Sequence, residues 1–548
     1  MISTKVPIKV QKRSGFDKSH HNALTQKVGV ITPLLFDEVI PNTRVYLRYA
    51  MAGSMPPLAT DAYLKCYYDV RAFFIPMRLL YGGFESFFSD YDYPIVTASG
   101  GSNVIANQKA MMPVLDLDVT NGLDVTGILG AGTLSDYLGY KYSDVIAAQW
   151  DQDVIISAMP FLCYHRVCND FFRQPNITKE YFARPSNYAG ANLTSKYAAS
   201  MLPYNSFKYG DNVLFVSGDK NDDPVLLADG VSLFDLRACN FDYDYFTNAL
   251  PSAQHGNPMQ VASASSFTIP ALRIANSLQQ FGELNGLAGP NEVDVVRARY
   301  GAKLSRGVAQ RCIYLGGARV DIGNKSVDVT VPNAGSSANP FVQQVGSSAG
   351  KVVCRGTDII IDNFTADEPG YIMVTGCIVP KVTYGTGVRR HFRRYIAQGS
   401  LTDMANPLLQ NVGNQEIFDF ELTSSLGYSS SENHIFGYTD RYGDFMSYED
   451  ECHGLFQYNE NLESFVAQRV FLPGDDPVIG SNFLSIPQSA IDNVAAVNGA
   501  ISLFGWYGQF AFEYKVAMPL AQYSLPSLQN PAYEHGKSIT IHRGGFRF

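Results

Sequence analysis

Apolar and polar positions alternate in short runs spread along the whole chain. In residues 67–76, Tyr68, Val70, Ala72 and Phe74 alternate with Tyr67, Asp69, Arg71 and Phe73, which is the period of a strand. Tyr67 and Phe73 leave the second row only partly polar, so this strand is predicted to be covered on both faces. Pro76 lacks a ladder donor and ends it. Residues 77–88 read as a short helix-like piece carrying Tyr81, Phe84, Phe87 and Phe88. Further strands are predicted at 28–41, 43–53, 325–331, 358–363, 371–384 and 510–518, the first two flanking a turn at Pro41-Asn42. Helices are fewer. One is predicted over 154–172; a second covers 271–287, with Leu272, Ala275, Leu278 and Leu284 at helical spacing behind Pro270.

Long stretches rich in Gly, Ser, Asn, Asp and Pro separate these elements, with no internal repeat and no low-complexity linker. Strands near the two ends of the chain are far apart in sequence, with loop-rich excursions between them. That profile predicts an all-β sandwich carrying large insertions and closed by long-range pairing.

Composition adds a reason for the insertions. The 548 residues include 33 Tyr and 34 Phe but 2 Trp, and charged residues are 17%, below the roughly 25% usual in globular proteins. A low-charge, Tyr/Phe-rich surface suits burial against partners. The net charge of −9 is unevenly placed. Residues 1–20 carry Lys5, Lys9, Lys12, Arg13 and Lys18 against Asp17 alone, and from Lys537 onward Lys537, Arg543 and Arg547 meet no acid. An acidic body with two basic ends can lay those ends on an anionic partner; two solvated tails are the plainer reading. The 8 cysteines are scattered among apolar neighbours, a reducing-compartment pattern without a disulfide framework. The first residues lack an apolar signal core, and no long apolar run predicts membrane insertion.

Catalytic and metal motifs are weak. Cys163, His165 and Cys168 resemble a metal site, but on a helix the two thiols diverge and no second ligand pair follows. Asp219–Asp223 offers alternate acids without the glycine and glutamate of a calcium loop, because Pro224 and Gly230 stand there. Gly346-Ser347-Ser348-Ala349-Gly350 has the spacing of a nucleophile elbow, yet a strand-like run follows in place of a helix. The glycine pairs Gly82-Gly83, Gly100-Gly101 and Gly316-Gly317 match no phosphate-binding fingerprint. No catalytic residue, metal or cofactor is expected. Residues 388–395 differ: Arg389, Arg390, Arg393 and Arg394 bracket His391 and Phe392, a mixture that suits phosphates and stacked bases of a single strand. The competing reading makes these arginines ties between acidic loops. The end of the chain, HRGGFRF (542–548), repeats the mixture.

Taken in order, the motifs resemble the major capsid proteins of the microviruses (Microviridae), small icosahedral phages with single-stranded DNA. FDKSHHNALTQKVGVITPLLFDEVIP (16–41) is similar to that family's arm and first strand, and DVRAFFIPMRLLYGGFESF (69–87) to its aromatic strand. LSDYLGY (134–140), SAMPFLCYHRVCNDFFRQPNI (157–177), DYFTNALPSAQHG (244–256) and RYGAKLSRGVAQRCIYLGG (299–317) continue the series. GYIMVTGCIVPKVTYGTGVRRHFRR (370–394), NPLLQNVGNQEIFDFEL (406–422) and FGYTDRYGDF (436–445) complete it. Ser252 stands where that family usually has an aromatic.

The resemblance implies an all-β viral jelly-roll, an eight-stranded antiparallel sandwich with long inserted loops and a few short helices. It implies a basic arm over 1–27 and one capsid domain over 28–548, with insertions at about 89–250 and 400–505 and a basic tail over 537–548. Some relatives carry a surface spike after the Ala-Leu-Pro element; here the extra length lies at 187–240, so any protrusion would come from there. The implied function is a non-enzymatic T=1 shell of roughly sixty copies around a single-stranded DNA genome, assembled in the bacterial host cytoplasm and ending in the virion. Implied partners are further copies of the chain, the genome, an internal scaffolding protein, a pilot or small DNA-binding protein, and a host surface receptor. Expected DNA contacts are Lys5, Lys9, Lys12, Arg13, Arg389, Arg390, Arg393, Arg394, Arg543 and Arg547. The alternative from another class is a β-sandwich carbohydrate-binding protein or glycosidase, disfavoured by the scarcity of Trp and by the lack of a locatable carboxylate pair.

Overall fold

The computed structural model describes residues 13–59, 63, 65–80, 84, 88, 92–99, 102–109, 112, 114–117, 130–140, 154–182, 215–217, 231–252, 269–270, 273–274, 276–277, 296–297, 300–301, 311–328, 348–393, 414–423, 435–440, 442–472, 475, 477–495 and 505–520. Among the described residues, nine strands build the main body: β1 (Ser14–Asp17), β2 (His20–Gln26), β3 (Thr32–Val39), β4 (Arg44–Ser54), β5 (Cys66–Pro76), β6 (Ile313–Asp328), β7 (Ser348–Thr365), β8 (Gly370–Pro380) and β9 (Trp506–Met518). All their pairings are antiparallel.

One half of the body runs β2-β9-β4-β7, with β1 continuing the β2 edge beside β9; the other runs β6-β5-β8-β3. β6 joins the two, because its first part pairs with β5 and its last part with β7. Two four-stranded sheets interleaved in this order, folded about one shared edge, make a jelly roll. The expected eight-stranded sandwich is therefore present, with one edge strand split into β1 and β2.

Side-chain alternation follows the sheet that each strand joins. In β4, Val45, Leu47, Tyr49 and Met51 are buried while Arg48, Ala50 and Ala52 are exposed. β8 is buried at every position and β5 nearly so, as both-faced coverage of the aromatic strand requires. On the inner face of β5, Tyr68 meets Trp506 and Phe510 of the opposite sheet at ring-centroid distances of 5.1 and 5.6 Å. Tyr68 also donates its hydroxyl to Gln26, whose amide nitrogen donates to the carbonyls of Val30 and Gly376 at 2.9 and 2.8 Å. On the outer face, Phe73 packs on Phe171 at 4.7 Å.

Trp506 is fully buried and lies flat on two glycines. A Cβ on Gly53 would stand 1.9 Å from the indole and one on Gly508 2.4 Å, so the two strands approach only because both positions lack a side chain.

The outer cover of β5 corrects the helix predicted at 154–172. Val154–Ser157 is a strand paired with Val114–Leu117; only then does α-helix Met159–Val167 begin, with Pro160 in its first turn, and it closes as a π-turn over Cys168–Phe172. Three β-branched residues in a row explain the early strand. The predicted helix at 271–287 is helical at Arg273, Ile274, Asn276 and Ser277, its other positions lying outside the described residues. Gly100-Gly101 falls between hairpin strands Asp92–Ser99 and Ser102–Lys109. Asp219–Asp223 and most of 187–240 lie outside the described residues.

A second, smaller core sits beyond the Pro380 end of β8. It gathers Tyr245, Phe246, Ala249, Tyr384, Ile417, Leu422, Phe436, Ile479, Phe483 and Leu484 from segments far apart in sequence. Its frame is the hairpin Asn414–Phe418 with Ile435–Asp440 and a short parallel pair, Thr383–Tyr384 beside Gln468–Arg469.

Candidate assembly and nucleic-acid surfaces

The arginine run lies on this smaller lobe, at a 3-10 turn over Arg390–Arg393. Arg389 forms an ion pair with Glu451, and its guanidinium lies 3.3 Å from the Tyr448 ring centroid. Arg390 donates to the carbonyl of Glu416 and sits 5.0 Å from the Phe418 ring. Both side chains are thus engaged within the chain, tying the turn to the 448–451 loop and to the strand Asn414–Phe418. His391 and Phe392 are exposed with their rings 4.1 Å apart. Arg394 and the side chain of Arg393 lie outside what the structure describes.

Beside this turn opens a cleft of about 460 Å³ whose acids are Asp242, Asp244, Asp440, Glu449 and Asp450. Asp244 orders its floor, accepting from the amides of Phe246 and Thr247 at 2.9 and 2.7 Å and from the Tyr384 hydroxyl at 2.7 Å. Glu449 accepts from the Tyr245 amide at 3.2 Å; burial and then the charge of Asp244 push its carboxyl up to about 7. Glu421 lies deeper. Its two oxygens accept from the Phe418 amide at 3.0 Å and the Tyr245 hydroxyl at 3.1 Å, and burial pushes it up to about 7. Two acids holding protons near neutrality are a feature of catalytic sites, but both oxygens of Glu421 are spent on intrachain donors. Sequence reasoning missed this cleft, although tyrosine–acid runs at 242–245 and 448–451 are visible in the chain.

Cys163, His165 and Cys168 are buried in the helix that covers β5. His165 faces the Leu233 carbonyl at 2.8 Å and, with its other nitrogen, the Arg237 guanidinium at 3.1 Å. Burial and then Arg237 lower it to about 3, so it is a neutral core residue. Among the basic candidates near the chain ends, Arg13 donates to the Asn42 side chain. Lys5, Lys9, Lys12, Arg543 and Arg547 lie outside the described residues.

Large apolar side chains stand out from the lobe near the cleft: Phe445, Met446 and Tyr448 are 60%, 68% and 78% exposed. Sited on a four-residue turn and its flank, they give a jelly roll an uncovered aromatic surface of the kind that partners bury. A family described as capsid protein (F protein) matches residues 4–528. The chain belongs to this capsid-protein family.

Curated relatives agree. The chain is 24% identical to capsid protein VP1 of Chlamydia phage 1, the alignment covering 96% of this chain and 97% of the relative. It is 23% identical to capsid protein VP1 of Bdellovibrio phage phiMH2K, covering 94% and 95%. Capsid protein VP1 of Spiroplasma virus 4 is 22% identical, again over 94% and 95%. The resemblance to microvirus major capsid proteins is therefore borne out over nearly the full length, and the carbohydrate-binding alternative gives way to it. As a major capsid protein the chain is a structural component of the virion.

Proposed function

We propose that this capsid protein closes into a T=1 icosahedral shell around a single-stranded DNA genome, without enzymatic activity. Family membership over residues 4–528 is the observation that supports this most. Many modest contacts summed by symmetry would hold the shell, with exposed rings such as Phe445 and Tyr448 buried between copies. The domain division follows the same reading: one jelly-roll unit over 28–548, insertions at about 89–250 and 400–505, and basic segments at 1–27 and 537–548.

DNA contact is expected from the basic ends of the chain before the arginine turn. Lys5, Lys9, Lys12, Arg13, Arg543 and Arg547 are the first candidates, with Arg393 and Arg394 after them. Arg389 and Arg390, with intrachain partners, suit a tethering role better. Assembly in the bacterial host cytoplasm would bring in an internal scaffolding protein and a pilot or small DNA-binding protein, and the finished surface would meet a host receptor without inserting into a membrane.

Electron microscopy of the protein expressed with its DNA tests the proposal. Closed shells of uniform diameter, with nuclease-protected single-stranded DNA inside, are the expected result. Dispersed subunits under every salt, pH and scaffold condition would refute the assembly reading, and empty shells alone would refute the DNA contact.

A further inference from the structure

The two sheets of the sandwich are finished differently on their outer faces. β5 and β8 are covered on both sides, with Phe171 packed on Phe73 over β5. The outward positions of β2-β9-β4-β7 are instead open to solvent. One ladder row reads Ala23, Gln509, Ala52 and Arg355, and the next places Ala511 and Ala50 between His21 and Thr357. None of these eight residues is buried, whereas the inward positions Leu47, Tyr49, Phe510 and Cys354 are. Four methyl groups at the centre leave a low, flat surface on which nothing taller obstructs a planar ligand.

Charge and a ring stand around this flat centre. Arg48 and Arg355 are exposed, and among the described residues neither has an ion-pair or hydrogen-bond partner. Glu513, opposite Arg48 in the ladder, is taken by Lys515. Asp321 and Asp358, exposed on β6 and β7, form no ion pair with either arginine among the described residues. These two guanidinium groups therefore differ from Arg389 and Arg390, which intrachain partners hold. Tyr507 of β9 is 44% exposed and donates its hydroxyl to the Met55 carbonyl at 3.4 Å, which fixes the ring on the face. Gln509 and Thr357 add hydrogen-bonding groups between the charges and the ring.

We propose that the outer face of β2-β9-β4-β7 is a platform for single-stranded DNA, with Arg48 and Arg355 meeting phosphates and Tyr507 stacking on a base. The inference rests on the DNA-enclosing reading and adds to it a surface of the folded body, distinct from the basic ends and the arginine turn. Size separates DNA from a second copy as the occupant. Four strands and four rows at sheet spacing cover about 400 Å². Each partner in a standard protein pair gives about 800 Å², so this face is too small to hold two copies together. A four-stranded sheet does suffice to stack about two or three bases, as RNA-recognition sheets do with rings and guanidinium planes. Contacts to phosphates and ring faces tolerate any base sequence, as a whole genome requires.

The test uses the full-length subunit before assembly and oligothymidine carrying a photoreactive base. Wild type is compared with Arg48→Gln combined with Arg355→Gln, with Tyr507→Leu, and with Ala52→Glu beside Ala52→Gln as its uncharged control. Circular dichroism and urea midpoints confirm that each variant is folded. Loss of the two arginines should weaken binding about tenfold at low salt and reduce the slope of log K against log salt by about 1.4. Tyr507→Leu should weaken binding about tenfold with the slope unchanged. Ala52→Glu should weaken it more than Ala52→Gln, and the wild-type crosslink should fall in the peptide that contains Tyr507. Wild-type affinity and slope in every variant, with crosslinks only elsewhere, would overturn the platform and leave DNA contact by the basic ends standing. Altered sedimentation of Ala52→Glu with unchanged DNA binding would overturn it in favour of a contact between copies. No salt-dependent binding by wild type would instead remove the DNA reading on which it rests.

Discussion

Replacing Glu421 by glutamine should flatten part of the pH dependence of the smaller lobe. Burial raises Glu421 from 4.5 to about 7; the Phe418 amide, Arg390 and the Tyr245 hydroxyl offset this in part, and Asp444 adds to it. The folded state therefore holds this proton more tightly than the unfolded chain does. Below pH 4.5 both states are protonated and nothing is lost. Between about 4.5 and 7 the unfolded chain ionises first, and stability falls with rising pH. Each tenfold difference in proton affinity is worth about 1.36 kcal/mol, so the full loss approaches about 3 kcal/mol above pH 7. Glu449 moves in the same direction. The glutamine side-chain oxygen would still accept from the Phe418 amide, with no charge to desolvate. Urea unfolding, with hydrogen exchange across 414–423 and 435–440, should show wild type losing protection as pH rises from about 4.5 to 7 and E421Q losing clearly less. The two proteins should match at the acidic end. Identical pH profiles for E421Q and wild type would refute the reasoning, as would a wild type equally stable at both ends.

Gly53→Ala drives a methyl group into the Trp506 indole; overpacking should cost about 1–3 kcal/mol in urea unfolding, and a second change, Trp506→Phe, should recover part of that loss. Tyr68→Phe leaves a buried Gln26 oxygen without its hydroxyl donor and should lower stability by about 1–3 kcal/mol with the far-ultraviolet spectrum unchanged. Replacing Arg389 and Arg390 together by glutamine should destabilise the lobe, measured as a lower thermal midpoint, while the salt dependence of DNA binding stays as in wild type. A flattened salt slope in that variant would return both arginines to the DNA surface.

Strands β3, β4, β5, β8 and β9 are legible in the chain because each carries its own signal, whereas no strand is predicted over β1 and β2 and only short pieces of β6 and β7 are. β4 alternates cleanly, β5 ends at Pro76, and β8 is apolar on both faces. Strand order is not readable from any local pattern: the β9–β4 and β7–β4 ladders join segments whose shared property is alternation. Residues 154–157 pass for helix because an apolar run next to a helix has no periodicity of its own to separate it. The smaller lobe escapes altogether, since Tyr245, Tyr384, Ile417, Phe436 and Phe483 become neighbours only when loops fold back. For the same reason the sequence displays the Arg389–Arg390 mixture of charge and rings but not Glu451, Tyr448 and the Glu416 carbonyl that receive it.

The position of β9 has a kinetic consequence. Among the described residues, β1 and β2 pair with no other strand than β9, and β4 has β9 as one of its two neighbours. The bond from the Tyr514 amide to Ser19 Oγ closes over 495 positions of chain. Until Trp506–Met518 leaves the ribosome, the β2-β9-β4-β7 sheet has a gap in its middle, with the flanking edges of β2 and β4 unpaired and open to other chains. Loop closure over such distances is slow, and the waiting species is prone to aggregate. The yield of folded subunits in an infected cell should therefore respond more to temperature and chaperone supply during synthesis than to the stability of the finished sandwich.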